Sequence, residues 1–318
     1  MNNIFGSALL AATALLSFTP ALAADYPNKP VTMIIPFSPG GGGDIAVRMI
    51  EKDFLQEFGQ PLSFVYKPGA DGAIGYSEMA TLKPDGYTIG AVSYPHLLMN
   101  RMKGAGMYEL NQFDLLCMPV RDDTFLVTAK EGGATSLEEF IKQAKAQPNK
   151  LIVGAVEAMG PSHIPALLLK KAGVPYTITT FNGGPKAVPA LLGGHINALF
   201  ATKGTAMGSA DALNFLAVCS GQRDPNHPDV PTFKEQGYNI QGLIGRGFFA
   251  PKGLPADVRQ RLEDGFRNIY SQPGIADRYA PRGMSVKWVN GKEFEQLFKE
   301  FQPSAVEAMK LAKEVSGK

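Results

Sequence analysis

A chain of 318 residues is long enough for two domains, since a domain usually holds about 100 to 200 residues. Its composition, 45 % apolar and 19 % charged, is that of a globular protein and excludes a disordered chain, a collagen and a coiled coil. The formal net charge of +2 provides little electrostatic basis for nucleic-acid binding, so no nucleic-acid partner is expected.

The first 23 residues have the pattern of a secretory signal peptide. An apolar stretch over 9–18 precedes the sequence Ala21-Leu22-Ala23, whose small residues predict cleavage after Ala23. A membrane anchor is the alternative interpretation, but the stretch is shorter than the ~20 residues that a transmembrane helix needs. We therefore expect an exported protein that is soluble after cleavage.

Export permits disulfide bonds, but the chain has only two cysteines, Cys117 and Cys219, each in an apolar run. Two buried free thiols are the favoured interpretation, and a single disulfide between them stays open. Two cysteines are too few for a disulfide scaffold or for a metal site of four thiolates.

The first part of the mature chain alternates short strands with glycine-rich turns and helices. A strand is predicted over 31–35, and Asp44 is expected to open a helix after the glycine run 40–43. Apolar residues recur at helical spacing from Val47 to Phe58, and Gly59 is expected to end the helix. Further strands are predicted over 62–66 and 87–92, with a glycine-rich turn at 67–75 that leads into a helix.

The later chain repeats this plan. Ser136 is predicted to cap a helix over 137–146, with Glu139 completing a capping box. Ser162 is predicted to cap another helix over 163–172. Other predicted strands lie at 151–156, 177–181 and 213–219, and other predicted helices end at 192 or cover 258–270 and 294–315.

Strands that alternate with helices predict an α/β fold with mostly parallel sheets. The plan occurs once over 31–123 and again over 124–247, which suggests two lobes. The final helices are expected to return to the first lobe.

The segment from Phe37 to Asp44 contains Ser38 and four consecutive glycines between a strand and a helix. Backbone N–H groups of Gly41 and Gly42 could approach a ligand closely there, and the start of the helix favours an anion. A tight turn is the alternative explanation. A dinucleotide fingerprint fails because Ile45 stands where a glycine is needed, so a carboxylate is favoured over a nucleotide.

Two later loops also lead from a strand into a helix. The loop 157–163 carries Ala158, Ser162 and His163, and the loop 182–185 adds Asn182 and Gly183. Ser162 is as consistent with a helix cap as with a ligand contact, and His163 could donate to an anion or lie on the surface. Three loops of one chemistry suggest one ligand held mostly by main-chain groups.

Catalytic patterns are absent from the sequence. It has no Gly-x-Ser-x-Gly motif, and its four histidines show no metal-ligand spacing. No catalytic residue, no metal and no cofactor are therefore predicted, and an exported carboxylate-processing enzyme stays as an alternative.

Motifs in a fixed order give the chain its resemblance to a known family. They are Tyr26 to Pro30, Ile34 to Asp44, Lys67 to Gly75, Pro84 to Thr88, Phe181 to Pro185, Leu191 to Gly194, Pro228 to Phe233 and Phe249 to Pro251. On these residues the chain resembles, along nearly all of its mature length, the periplasmic substrate-binding receptors of tripartite tricarboxylate transporters, the Bug proteins.

The resemblance implies a two-lobe type II periplasmic-binding-protein fold with a ligand cleft between the lobes. Residues 24–123 with 248–318 would form the first lobe and 124–247 the second. The receptor would capture a small aliphatic or aromatic carboxylate in the periplasm, by lobe closure, and deliver it to membrane permease subunits. We expect a monomer, and a partner that presents the ligand to a sensor is a further alternative.

Departures from the family pattern bear on the ligand. Glu157 near an anion site would repel a second carboxylate, pair with a cation or point to solvent. Tyr94 could stack on a ring, His96 could meet a distal carboxylate, and Arg246 could be a distal counter-charge. The predicted ligand-binding residues are Phe37, Ser38, Gly41, Gly42, Asp44, Tyr94, His96, Ala158, Ser162, His163, Asn182 and Gly183.

Overall fold

The computed structural model describes residues 26–156, 158–181 and 184–316. The predicted signal peptide with its cleavage site, Glu157, Asn182 and Gly183 lie outside the described residues. The strands are β1 (Val31–Ile35), β2 (Leu62–Tyr66), β3 (Thr88–Tyr94), β4 (Phe113–Ala129), β5 (Ile152–Val156), β6 (Thr177–Phe181), β7 (Ala198–Thr202), β8 (Leu213–Val218), β9 (Leu243–Pro251) and β10 (Ser285–Val286). The helices are α1 (Gly42–Arg48), α2 (Glu51–Phe58), α3 (Ala73–Met79), α4 (His96–Met102), α5 (Leu137–Ala146), α6 (His163–Lys171), α7 (Gly184–Leu192), α8 (Lys203–Ala206), α9 (Ala256–Tyr270), α10 (Ile275–Tyr279) and α11 (Gly291–Ser316).

The first sheet has the strand order β2-β1-β3-β9-β4. β1 is parallel to β2 and to β3, whereas β9 runs antiparallel to both β3 and β4. The short strand β10 pairs antiparallel with β4.

The second sheet begins on β4 as well. β4 pairs antiparallel with β7 and β8, and β5 lies parallel between β7 and β6. The prediction of mostly parallel sheets is therefore wrong, and both sheets are mixed. The reason is that β4 leaves the first sheet for the second and β9 returns, so each runs against its neighbours.

The two lobes of this α/β fold are joined where β4 passes from one sheet to the other. β4 is 17 residues long; its residues 113–123 pair with β9 and its residues 124–127 pair with β7. Just before β9, Gly242 accepts a hydrogen bond from the Thr124 N–H at 3.0 Å. The two chain crossings therefore lie side by side, with the cleft between the lobes.

Apolar cores lie on both faces of the first sheet. On one face α2 packs against α9, where the rings of Phe54 and Phe58 stack at 4.2 Å and both contact Phe266. On the other face Tyr94 packs against Phe298 of α11. The second lobe has its own buried core, which includes Phe140, Tyr176 and Phe200.

The first predicted helix differs from the observed one in its start and its continuity. It begins at Gly42 rather than at Asp44, and it is interrupted at Ile50, whose backbone (φ −111°, ψ 7°) leaves helical geometry. Val47 and Phe54 are buried as their spacing predicts, and Gly59 ends α2 in the left-handed region at φ 69°.

The two predicted helix caps have different outcomes. Ser136 accepts the Glu139 N–H at 3.1 Å, but the Glu139 carboxylate accepts from the Thr135 N–H and not from that of Ser136. The capping box is thus only half formed. Ser162 forms no cap bond, because its own backbone is already helical at φ −93°, ψ −34°.

Cys117 and Cys219 are buried free thiols, as favoured from the sequence. Burial raises the pKa of both thiols. Within the described part of the chain, no helix combines the length and the hydropathy that crossing a membrane requires.

Candidate functional site

A cleft of about 490 Å³ separates the two lobes. This volume is in the range of sites for small molecules, roughly 300 to 1,000 Å³. One wall consists of the start of α1 and of β9, and the other of the loop before α6 and the junction of β7 with α8. The lining residues are Gly42, Ile45, Asp122, Val156, Pro161, Ser162, Gly184, Thr202, Gly204, Thr205, Met207, Gly208, Ile244, Arg246, Pro281, Arg282 and Met284.

The first predicted loop reaches the cleft through Gly42. Ser38 is exposed, and its carbonyl accepts a hydrogen bond from the Gly41 N–H at 3.1 Å. Gly40 adopts φ 77°, a left-handed conformation that glycine reaches without strain. The loop is therefore a tight turn as well as one wall of the cleft.

Asp44 holds this loop in place. Its carboxylate accepts the Gly40 N–H at 2.7 Å, the Tyr66 hydroxyl at 2.8 Å and Nε of Arg48 at 2.9 Å. Burial alone would raise the pKa of Asp44, but these donors outweigh it and hold the pKa below its ordinary value. The carboxylate faces the base of the loop, so its geometry is that of a positioning group.

His163 has the same role in the second predicted loop. Its Nδ1 accepts the Met159 N–H at 2.9 Å, and Met159 adopts φ 61°. Burial, with a smaller effect of Lys103, lowers the pKa of His163 to about 4. The imidazole is therefore neutral at pH 7, and it does not provide a positive charge for an anion.

The other predicted residues of the second and third loops differ in exposure. Ser162 lines the cleft and its side chain is 1 % exposed, while Ala158 is exposed and is not part of the cleft lining. Gly184, which follows the undescribed Asn182 and Gly183, does line the cleft.

Phe37, Tyr94 and His96 pack against other rings. The Phe37 ring packs edge-on against His96 at 6.2 Å between ring centres, and His96 Nδ1 lies 3.0 Å from Ser93 Oγ. Tyr94 is 4 % exposed and packs among the aromatic rings of α11. None of the three belongs to the cleft lining.

Arg246 contributes a guanidinium to the cleft lining from the first-lobe side. It lies on β9 between Val120 of β4 and Ser93 of β3. A Cβ atom placed on Gly42 would lie 2.5 Å from Nη2 of Arg246, so the glycine is what admits the guanidinium to this position. The sequence marked Arg246 as a possible counter-charge, and it lines the cleft beside the first loop.

Asp122 is an acidic residue of the cleft lining that was missed in the sequence. Its Oδ1 accepts the Gly204 N–H at 3.0 Å, and its side chain is 4 % exposed. Burial raises the pKa of Asp122 to about 6, against the opposing effects of Arg246 and of hydrogen bonds from Gly204 and Thr202. The available signal was an acidic pair, Asp122 and Asp123, inside an otherwise apolar run.

Within 26–156, 158–181 and 184–316, no group of three or more His, Cys, Asp and Glu side chains could hold a metal ion. The cleft instead offers a guanidinium and backbone amides, which suit a small polar anion.

Comparison with known proteins agrees with this geometry. The chain matches the model of the tripartite tricarboxylate transporter receptor family over residues 46–309. A Cupriavidus necator relative, the UPF0065 protein in gbd 5'region, is 28 % identical over 96 % of each chain. Protein BugT of Bordetella pertussis is also 28 % identical, over 83 % of each chain.

The fold has solved relatives as well. A TctC solute binding protein from Polaromonas is 26 % identical and superposes with a TM-score of 0.81, covering 91 % of this chain and 99 % of that one. The two-lobe fold and the family resemblance predicted from the sequence are thereby confirmed. Since the family model spans more than half of its length, the chain belongs to the tripartite tricarboxylate transporter receptor family, whose members are periplasmic solute-binding receptors.

Proposed function

We propose that this receptor captures a small carboxylate in the cleft and delivers it to the permease of a tripartite transporter. The observation that carries the proposal is the cleft of about 490 Å³, which is bounded by loops of both lobes and by the guanidinium of Arg246. Amides and a guanidinium form charge-assisted hydrogen bonds with a carboxylate, and these are stronger than bonds between neutral groups.

Closure of the lobes would trap the ligand. The two crossings, at Asp123 and Thr124 on β4 and near Gly242 before β9, are where small backbone rotations would move one lobe relative to the other. We propose a first lobe of 24–123 with the C-terminal part of the chain, and a second lobe between them. Residues 243–247 pair with β3 and β4, which favours counting them with the first lobe rather than with the second.

The remaining predictions fit this role. We propose export with cleavage after Ala23, a monomer, and a receptor without catalysis. Ser162 and His163 could suggest a nucleophile with its base, but Nδ1 of His163 already accepts the Met159 N–H.

A thermal-shift screen tests the proposal directly. Citrate, succinate, L-glutamate and benzoate represent aliphatic, amino-acid and aromatic carboxylates, and at least one class should raise the melting temperature, since a ligand that binds only the folded state stabilises it. A flat response to all classes of carboxylate would contradict the proposal.

The Gly42→Asp variant locates the binding site. The new carboxylate would lie against Arg246, where it competes with the ligand, so the carboxylate-induced shift should disappear while the protein stays folded. Gly221→Asp is the matched control, because a side chain at Gly221 would meet nothing within 4 Å and Gly221 does not line the cleft. Equal binding by both variants would place the ligand elsewhere.

A further inference from the structure

Among the residues that the structure describes, Arg246 is a cation without a partner. Its Nε is buried and has no hydrogen-bond partner, and no described residue forms an ion pair within 4 Å or a hydrogen bond with its guanidinium. Polar groups taken out of water cost free energy unless they are paired, so this partly buried guanidinium favours an acceptor that binds in the cleft.

Asp122 is not the acceptor that pairs with Arg246. It lines the same cleft, but its carboxylate is engaged by the Gly204 N–H and forms no ion pair with Arg246 within 4 Å among the described side chains. The contrast with Lys203 is informative. The Lys203 ammonium is also buried in this region, and it lies 2.9 and 3.0 Å from the two carboxylate oxygens of Asp224.

The missing side chain of Gly42 makes room for the guanidinium of Arg246. Any side chain there would displace the guanidinium, since its Cβ would lie 2.5 Å from Nη2 and 2.9 Å from Cζ of Arg246. Gly42 and Arg246 therefore form one continuous part of the cleft wall, on which a single carboxylate can meet both the loop backbone and the guanidinium.

We propose that Arg246 is the ligand-binding side chain of the cleft and that it forms a charge-assisted pair with a carboxylate of the ligand beside Gly42. This inference rests on the proposed function and adds the residue that selects a carboxylate over a neutral isostere. Main-chain amides alone discriminate weakly between a carboxylate and an amide, whereas a guanidinium offers a planar bidentate fit to the carboxylate only.

Calorimetric titration of Arg246→Gln tests the pairing. The probe is whichever of citrate, succinate, L-glutamate or benzoate stabilises the parent protein most, and the parent measurement by itself tests the proposed function. We expect the affinity of Arg246→Gln for that probe to fall by about tenfold or more, the usual effect of losing a hydrogen bond to a charged group. The matched control is Arg267→Gln, since Arg267 is an exposed cation that does not line the cleft.

The outcomes separate the two proposals. If the parent protein binds the probe and only Arg246→Gln loses affinity for it, the inference is supported. If the parent protein binds the probe and Arg246→Gln loses no affinity, or loses no more than the control variant, the inference is overturned and the proposed function stays intact. Absence of parent binding overturns the proposed function itself.

A second pair of variants, at glycine positions, tests the inference if the Arg246→Gln protein does not fold. Gly42→Ala keeps the guanidinium but displaces it, so carboxylate affinity should fall. Gly221→Ala lies outside the cleft lining and its methyl group would meet nothing within 4 Å, so affinity should stay within about twofold of the parent. Equal affinities of the two glycine variants would overturn the inference.

Discussion

At the scale of single residues, the two loops that face the cleft share one arrangement. In each, a residue in the left-handed region donates its N–H to a side chain four positions later, Gly40 to Asp44 and Met159 to His163. A non-glycine residue at positive φ is strained, and the bond to His163 helps to hold it. Each loop is thereby fixed before any ligand arrives, which lowers the ordering cost of binding.

The pH dependence of carboxylate binding should report on Asp122. In the unliganded protein burial raises the pKa of Asp122 to about 6, and a bound carboxylate nearby would raise it further. Binding then takes up a proton, so affinity should rise as pH falls from 8 towards about 6 and level off below that. Calorimetry at several pH values measures the effect.

Asp122→Asn is the control for this prediction. Its affinity should be at least as high as that of the parent and nearly independent of pH between 6 and 8. The groups that act on Asp122 are Arg246, Asp123, Thr202 and the Gly204 N–H, and His163 stays neutral above its pKa of about 4. An unchanged pH profile in Asp122→Asn would show that another group titrates.

At the scale of elements, the helix cap that formed as predicted gives a stability test. Ser136→Ala should lower the free energy of unfolding by about 1 kcal/mol, because the Glu139 N–H at the start of α5 loses its acceptor. Chemical denaturation measures the change. Ser63→Ala, at an exposed position of β2, should change it by less than about 0.5 kcal/mol. Equal effects would mean that the cap contributes nothing.

Local patterns explain which elements could be predicted from the sequence. β1, β2 and β6 are short runs bounded by turn residues, and their predicted bounds agree with the observed ones. β4 was missed because Arg121, Asp122 and Asp123 interrupt its apolar run, although the observed strand continues through them. These charges are tolerated there because Arg121 and Asp123 form an ion pair and Asp122 lines the cleft, a tertiary arrangement that no local pattern reveals.

Local sequence motifs also predicted part of the candidate site. The glycine run identified Gly42, and the strand–loop–helix plan identified Ser162, both of which line the cleft. Tyr94 was predicted to contact the ligand by stacking on a ring, but it is buried and its ring packs against Phe298 of α11. Thr202 and Gly204 were missed because β7 is five residues long and carries no distinctive motif.

At the scale of the whole molecule, the lobes share one continuous strand. Residues 113–123 of β4 belong to the first sheet and residues 124–127 to the second, so unfolding of either lobe removes pairing partners from the other. We expect one calorimetric unfolding transition rather than two. Two resolved transitions, or different midpoints from probes in the two lobes, would contradict this.

The shared strand also has a consequence for how ligand occupancy can be detected. If unfolding is concerted, amide protons deep in either lobe exchange with solvent only when the whole protein opens. A ligand that contacts the cleft would then slow exchange at β6, far from the site, as much as at β1. Hydrogen exchange of remote strands would thus report occupancy without a probe near the cleft.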